Sequence, residues 1–168
     1  MKRLSMILSM VLVASVMFAQ GIAFEPEGTL LPQAAAKAKK ENKLVFVDCY
    51  TQWCGPCKKM ARDIFPDAKV GEYMNAKFVN LKIDMEAAYA QGLSKEWQVS
   101  GYPTFIIFNA DGKEIGRFMG GSDADKFISR VEEKSKIDAE AGSLEARWNS
   151  GDRDEAFLKE YLASLTAT

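Results

Sequence analysis

The chain has no histidine in its 168 residues and only three cysteines. Without an imidazole there is no histidine general base and no Ser–His or Cys–His nucleophile pair, and almost no zinc site can be completed. Any chemistry must run on Cys, Asp, Glu, Lys or Tyr. A strong charge of either sign is also lacking. With 22 basic and 23 acidic residues the formal net charge is −1, which offers no electrostatic attraction to nucleic acid. There are no internal repeats and no low-complexity linkers. A long apolar run occurs at Leu4–Phe18 and does not recur, so the remainder is expected to be soluble. What is present suits an ordinary globular domain: 48% hydrophobic and 27% charged residues, enough to bury a core without staples or metals.

The apolar run follows Lys2 and Arg3 and precedes small residues at Ala19, Gly21 and Ala23, which is the order of a secretory signal peptide. It falls short of the roughly 20 apolar residues that a bilayer-spanning helix needs. Residues 1–19 are therefore expected to be a leader cleaved after Ala19, with Ala23 as the second choice. The protein is then periplasmic or secreted, where disulfides persist. The first cysteine, Cys49, lies far from the cleavage region.

Hydrophobic patterning places the elements. Ile22–Phe24 suits a short edge strand. Pro32–Asn42 is helical by propensity, with proline in the first turn. Leu44–Cys49 is a nearly continuous apolar run, as in a central strand buried on both faces. Helices follow over Cys54–Ile64 and from Pro66 to about Asn75, and a strand over Phe78–Asp84. Glu86–Trp97 is expected to be helical, against the breaking tendency of Gly92. Thr104–Phe108 is a third strand, and Asp111-Gly112 turns it into Glu114–Met119. Ser122 or Asp123 caps a helix expected to reach Lys136. Beyond Gly142, Trp148 and the stripe Phe157, Leu158, Tyr161, Leu162 and Leu165 imply a helical hairpin broken at Gly151-Asp152. The order predicts an α/β fold, a mixed sheet of 4–5 strands flanked by helices, with a C-terminal helical extension.

The chemistry concentrates in Trp53-Cys54-Gly55-Pro56-Cys57. A Cys-x-x-Cys spacing alone fits half a zinc site, a haem attachment, a structural disulfide or a redox pair. Zinc lacks ligands here, and haem attachment lacks the following histidine, since Lys58 stands there. The pair follows a buried strand and opens a helix, which is the redox context. Residues i and i+3 share a helix face, so the two sulfurs can meet. The helix N-terminus favours thiolate at Cys54, making it the nucleophile. Cys57, one turn inward, is the resolving thiol. Pro56 sits where its missing N–H costs nothing.

From about residue 32 to 136 the chain resembles the thioredoxin family, on Trp53–Lys58, Val47-Asp48 and Gly101-Tyr102-Pro103-Thr104. The resemblance implies a thioredoxin fold over residues 20–137, with 138–168 as the extension. It implies that Pro103 is a cis-proline beside the active site and that Tyr102 pairs its backbone with an extended substrate. Asp48 takes the place of the buried acid beneath the resolving cysteine and would move its proton. Gly120 matches a groove glycine, while Trp53, Gly55 and Pro56 complete the substrate-facing rim. Two positions depart from the family. Its lysine partner for the buried acid falls at Asn80, with Lys82 nearby on the same strand face, and its helix-kinking proline falls at Arg62. The stretch Lys59–Pro66 is instead similar to periplasmic domains related to the C-terminal domain of DsbD-type disulfide reductases.

The resemblance implies a monomeric thiol:disulfide oxidoreductase that reduces disulfides of exported proteins. It would draw electrons from a DsbD-type membrane donor, without cofactor or metal and without nucleic acid. An oxidase or isomerase of the same fold is the first alternative, and a non-enzymatic binding module with a static disulfide the second. Cys49 reads as a small buried strand residue.

Overall fold

A computed structural model describes residues 21–149 and 151–166. The expected leader, residues 1–19, lies outside them. The element order is α1 (Leu31–Glu41), β1 (Leu44–Tyr50), α2 (Gly55–Lys59) continuing into a π-helical turn (Met60–Ile64), α3 (Ala68–Lys77) and β2 (Phe78–Asp84). After these come α4 (Leu93–Glu96), β3 (Thr104–Phe108), β4 (Glu114–Met119), α5 (Ala124–Asn149) and α6 (Glu155–Thr166). The four strands form one sheet in the order β2-β1-β3-β4. β1 runs parallel to β2 and antiparallel to β3, and β3 pairs antiparallel with β4. This is the mixed sheet expected of a thioredoxin fold.

Strand alternation sorts the core into two halves. On one face Val45, Val47 and Cys49 pack with Ala34, Ala35 and Ala38 of α1, whose small side chains let the helix lie close to the sheet. On the other face Phe46, Phe105 and Ile107 pack with Met60 and Phe65 near α2, Met74 of α3, and Phe127 and Val131 of α5. Phe127 meets Phe46, Phe105 and Phe118 at centroid distances of 5.9, 5.4 and 6.1 Å, within the range where edge-to-face pairs add to area burial. Because Asp48 lies between Val47 and Cys49 on β1, its side chain emerges on the Phe46 face, the face that carries α2. Cys49 emerges on the opposite face, as the sequence reading of it as a core residue requires.

The expected edge strand at Ile22–Phe24 is reduced to one parallel bridge, Phe24 to Asn80. The segment is nonetheless held as a strap. Ile22 N–H donates to the Phe65 carbonyl at 2.7 Å, and Glu25 N–H to the Asn80 carbonyl at 2.8 Å. The Asn75 side chain accepts from Ala23 N–H at 2.8 Å. Phe24 also packs edge-on against Phe65 at 5.3 Å.

Three elements differ from expectation. The Cys54–Ile64 helix is α-helical only to Lys59 and then widens, with Phe65 N–H reaching back five residues to the Met60 carbonyl at 2.9 Å. The helix expected over Glu86–Trp97 is a 3₁₀ turn at Ala88–Ala90 and the short α4, because Gly92 between them takes a left-handed φ of 90°. The last core helix begins at the Asp123 cap, whose Oδ1 accepts from Lys126 N–H at 2.9 Å, but passes Lys136 and continues to Asn149. A lone glycine such as Gly142 costs a helix about 1 kcal/mol, too little to stop it among strong helix formers. The turn at Gly151 reverses the chain into α6, so the helical hairpin is present. Trp148 stacks on Tyr161 at 4.9 Å and Phe157 is buried, whereas Leu162 and Leu165 are exposed. No helix among the described residues is long and apolar enough to cross a membrane.

Candidate active site

β1 ends at Tyr50, and its direction carries the chain over a tight turn, Thr51–Cys54, into α2. Cys54 N–H donates to the Thr51 carbonyl at 3.2 Å, closing that turn. Cys54 and Cys57 are joined by a disulfide, with Cα atoms 5.3 Å apart. Cys54 is the N-cap of α2, and Cys57 N–H donates to its sulfur at 3.1 Å. An amide of the helix's first turn thus points at the sulfur expected to carry negative charge after reduction. Such a donor, together with the helix terminus, lowers the cost of a thiolate there. Both cysteines are buried, at 3% and 4% exposure, while the neighbouring Trp53 is 66% exposed. Gly55 and Pro56 form the exposed first turn.

The Tyr102–Pro103 peptide bond is cis. Its loop is fixed from both sides: Thr104 Oγ1 donates to the Gly101 carbonyl at 2.7 Å, and Gly120 N–H donates to the Pro103 carbonyl at 2.8 Å. Gly120 has φ 89°, a left-handed conformation that favours glycine. Trp53 stands edge-on to Tyr102 at 5.9 Å. The structure therefore brings Trp53, Cys54, Tyr102, Pro103 and Gly120 to one end of the sheet. On the other flank of the pair, Pro56, Lys59, Met60, Gly121, Ser122 and Asp123 line a hollow of about 730 Å3.

Asp48 is 1% exposed, and its Oδ1 has no hydrogen-bond partner among the described residues. Burial raises its pKa to about 7, against the pull of the Lys82 charge. Asp48 and Lys82 stand opposite each other in the β1–β2 register. The positive charge is thus supplied from Lys82, while Asn80, at the family's lysine position, is buried and bonds the N-terminal strap. Lys82 Nζ also lies 4.6 Å over the Tyr50 ring. Cys49 is a free, buried thiol whose pKa burial pushes up, which makes it a poor nucleophile.

Several residues at the site escaped the sequence reading. Trp53 Nε1 donates to Glu86 at 2.9 Å, Gln52 Nε2 donates to Asp84 at 2.8 Å, and Asp84 in turn accepts from Glu86 N–H at 3.1 Å. Arg130 of α5 donates to the carbonyls of Met119 and Gly120, at 2.7 and 3.1 Å, holding the end of β4 in place. Apart from the local Asp84–Glu86 bond, these contacts join residues 10 to 33 positions apart, which local pattern cannot reveal; the acids Asp84 and Glu86 at the end of β2 were the one available signal.

Fold and site together define a class, the thioredoxin-fold proteins with a redox-active cysteine pair opening a helix. The family model described as a thioredoxin-like domain matches residues 31–135, and the chain belongs to that family. Over 115 residues, 66% of its length, the chain is 33% identical to the thiol:disulfide interchange protein DsbD of Yersinia pestis (strain Pestoides F). It covers 19% of that relative, so it spans about a fifth of the relative's length. It is 41% identical, with a TM-score of 0.62, to a candidate disulphide-isomerase from Bacteroides thetaiotaomicron, covering 70% of this chain and 96% of that one. Similarity to the oxidised C-terminal domain of Neisseria meningitidis DsbD is 26% identity with a TM-score of 0.54, covering 66% and 97% of the two chains.

Proposed function

We propose that this thiol:disulfide oxidoreductase reduces disulfides of exported proteins. The observation that carries the reading is the Cys57 N–H aimed at the Cys54 sulfur, together with a buried Asp48, on the sheet face that carries α2, whose Oδ1 has no hydrogen-bond partner among the described residues. Cys54 attacks a client disulfide, forming one S–S bond and releasing one client thiolate. Asp48 accepts the Cys57 proton, Cys57 attacks Cys54 of the mixed disulfide, and the second client thiolate leaves as the Cys54–Cys57 bond closes. Two electrons pass to the client, and a dithiol donor must return them. In an oxidising compartment that donor is a membrane reductant conductor of the DsbD type. Gly55-Pro56 between the cysteines supports the reducing direction, since no further cation there stabilises the Cys54 thiolate. The domain works as a monomer, with Trp53, Gly55, Pro56, Tyr102, Pro103 and Gly120 facing the client.

The test is reduction of insulin by dithiothreitol with and without catalytic amounts of the chain. Acceleration is expected, and an unchanged rate would leave only a static disulfide module. The leader reading has its own test. Cleavage after Ala19 leaves Gly21–Ala23 in place, and with them the bonds to Phe65 and Asn75; cleavage after Ala23 removes these bonds. Mass spectrometry of exported protein should find Gln20 first. A chain beginning at Phe24, or a retained Met1 in membranes, contradicts this.

A further inference from the structure

Trp53 combines two properties that normally conflict. It is a large apolar side chain, 66% exposed at the rim of the cysteine pair, and yet it is fixed in one orientation. Its indole N–H donates to a Glu86 carboxylate oxygen at 2.9 Å, and its ring meets the Tyr102 ring edge-on at 5.9 Å. Both partners are themselves anchored. Glu86 N–H donates to Asp84 at 3.1 Å, while the other Asp84 oxygen accepts from Gln52, the residue before Trp53, at 2.8 Å. The Tyr102 hydroxyl lies 3.3 Å from Ser94 Oγ on α4. The end of β2 and the loop after it therefore grip the active-site turn twice, once through Gln52 and once through Trp53.

We infer that Glu86 is a positioning residue for client binding: its carboxylate holds the Trp53 indole so that the ring and Tyr102 form a preset apolar jaw beside Cys54. This rests on the reductase reading above. A client chain entering beside Cys54 then meets a wall already ordered, and binding does not have to order a rotamer-rich rim. Glu86 touches neither the sulfurs nor the client, so its loss should raise KM and leave kcat unchanged. Because Glu86 anchors its own backbone through its N–H, side-chain substitutions leave the Asp84 contact in place.

The experiment uses the mature chain with insulin as client and dithiothreitol as reductant. Glu86→Ala should raise KM about fivefold, the scale of one modest net hydrogen bond, with kcat unchanged. Glu86→Gln keeps an acceptor for the indole and should behave as wild type. Trp53→Phe keeps a ring but removes the N–H, so in that background Glu86→Ala should have no further effect. Acrylamide quenching of the Trp53 fluorescence, taken as the difference from Trp53→Phe, should rise in Glu86→Ala and not in Glu86→Gln. The proposal is overturned if Glu86→Gln is as impaired as Glu86→Ala, if the Glu86→Ala effect persists in Trp53→Phe, or if quenching is unchanged. The quenching arm reads Trp53 directly, so it tests the positioning even if wild-type chain fails to reduce insulin, an outcome that would remove the reductase reading alone.

Discussion

Cys54→Ser is expected to abolish insulin reduction, a loss on the order of 10³-fold or more, as for removal of other catalytic nucleophiles. The asymmetry between the cysteines comes from their places on α2. Cys54 is the N-cap and receives the Cys57 N–H at 3.1 Å, so the helix terminus favours negative charge on its sulfur. Cys57 lies one turn inward and donates that bond. Cys57→Ser should therefore still attack clients but be unable to release them, and mixed disulfides through Cys54 should accumulate. Non-reducing gels after acid quenching of cells that express each variant check this. Trapping by Cys54→Ser, with none by Cys57→Ser, would reverse the roles.

Asp48→Asn is expected to act in opposite senses on stability and on rate. The Asp48 carboxyl has a pKa of about 7 when folded, against an ordinary value of 3.8. The folded protein thus holds this proton more tightly than the unfolded chain does. Stability from Asp48 is fully present below about pH 4 and is lost as pH rises through about 7. The full shift corresponds to about 4 kcal/mol of destabilisation at alkaline pH. The oxidised Asp48→Asn variant should be nearly unchanged at pH 4 and more resistant to urea than wild type at pH 8, by up to that amount. Its turnover at neutral pH should fall by about tenfold to a hundredfold, because Cys57 loses its proton acceptor. A variant less stable at pH 8, or an unaltered pH–rate profile, would remove the assigned role. Lys82 opposes burial in setting this pKa, so Lys82→Met should raise it further and shift the wild-type pH–rate profile upward.

Much of this architecture is legible in the chain itself, for a physical reason. The buried strands β1 and β3 are largely apolar runs, β2 alternates apolar and polar residues, and the cysteine pair with the start of its helix is a local arrangement of a few residues. The Asp111-Gly112 turn announces itself as well, with Gly112 at φ 80°. What stays hidden is non-local or energetically close. The π-helical turn at Met60–Ile64 differs from an α-helix by one residue in hydrogen-bond reach. The end of α5 depends on whether one glycine outweighs its neighbours. Lys82 is visible in the sequence as a lysine near the family position at Asn80, but that it stands opposite Asp48 follows only from the β1–β2 register. The Glu86–Trp53 bond spans 33 positions and needs the folded sheet to bring its ends together.

In the proposed reductase, the reducing direction is what would make the chain a donor of electrons to clients. Thioredoxin sits at about −270 mV and the strong oxidant DsbA at about −120 mV, and the difference follows the stabilisation of the reduced, thiolate form. Here the α2 terminus and the Cys57 N–H support the Cys54 thiolate, Lys58 follows the pair, and no histidine stands between the cysteines. Equilibration of the Cys54–Cys57 couple against glutathione measures the balance directly. A potential nearer about −270 mV is the predicted result, and a value above about −180 mV, the level of protein disulfide isomerase, would contradict it and make the chain an oxidase or isomerase.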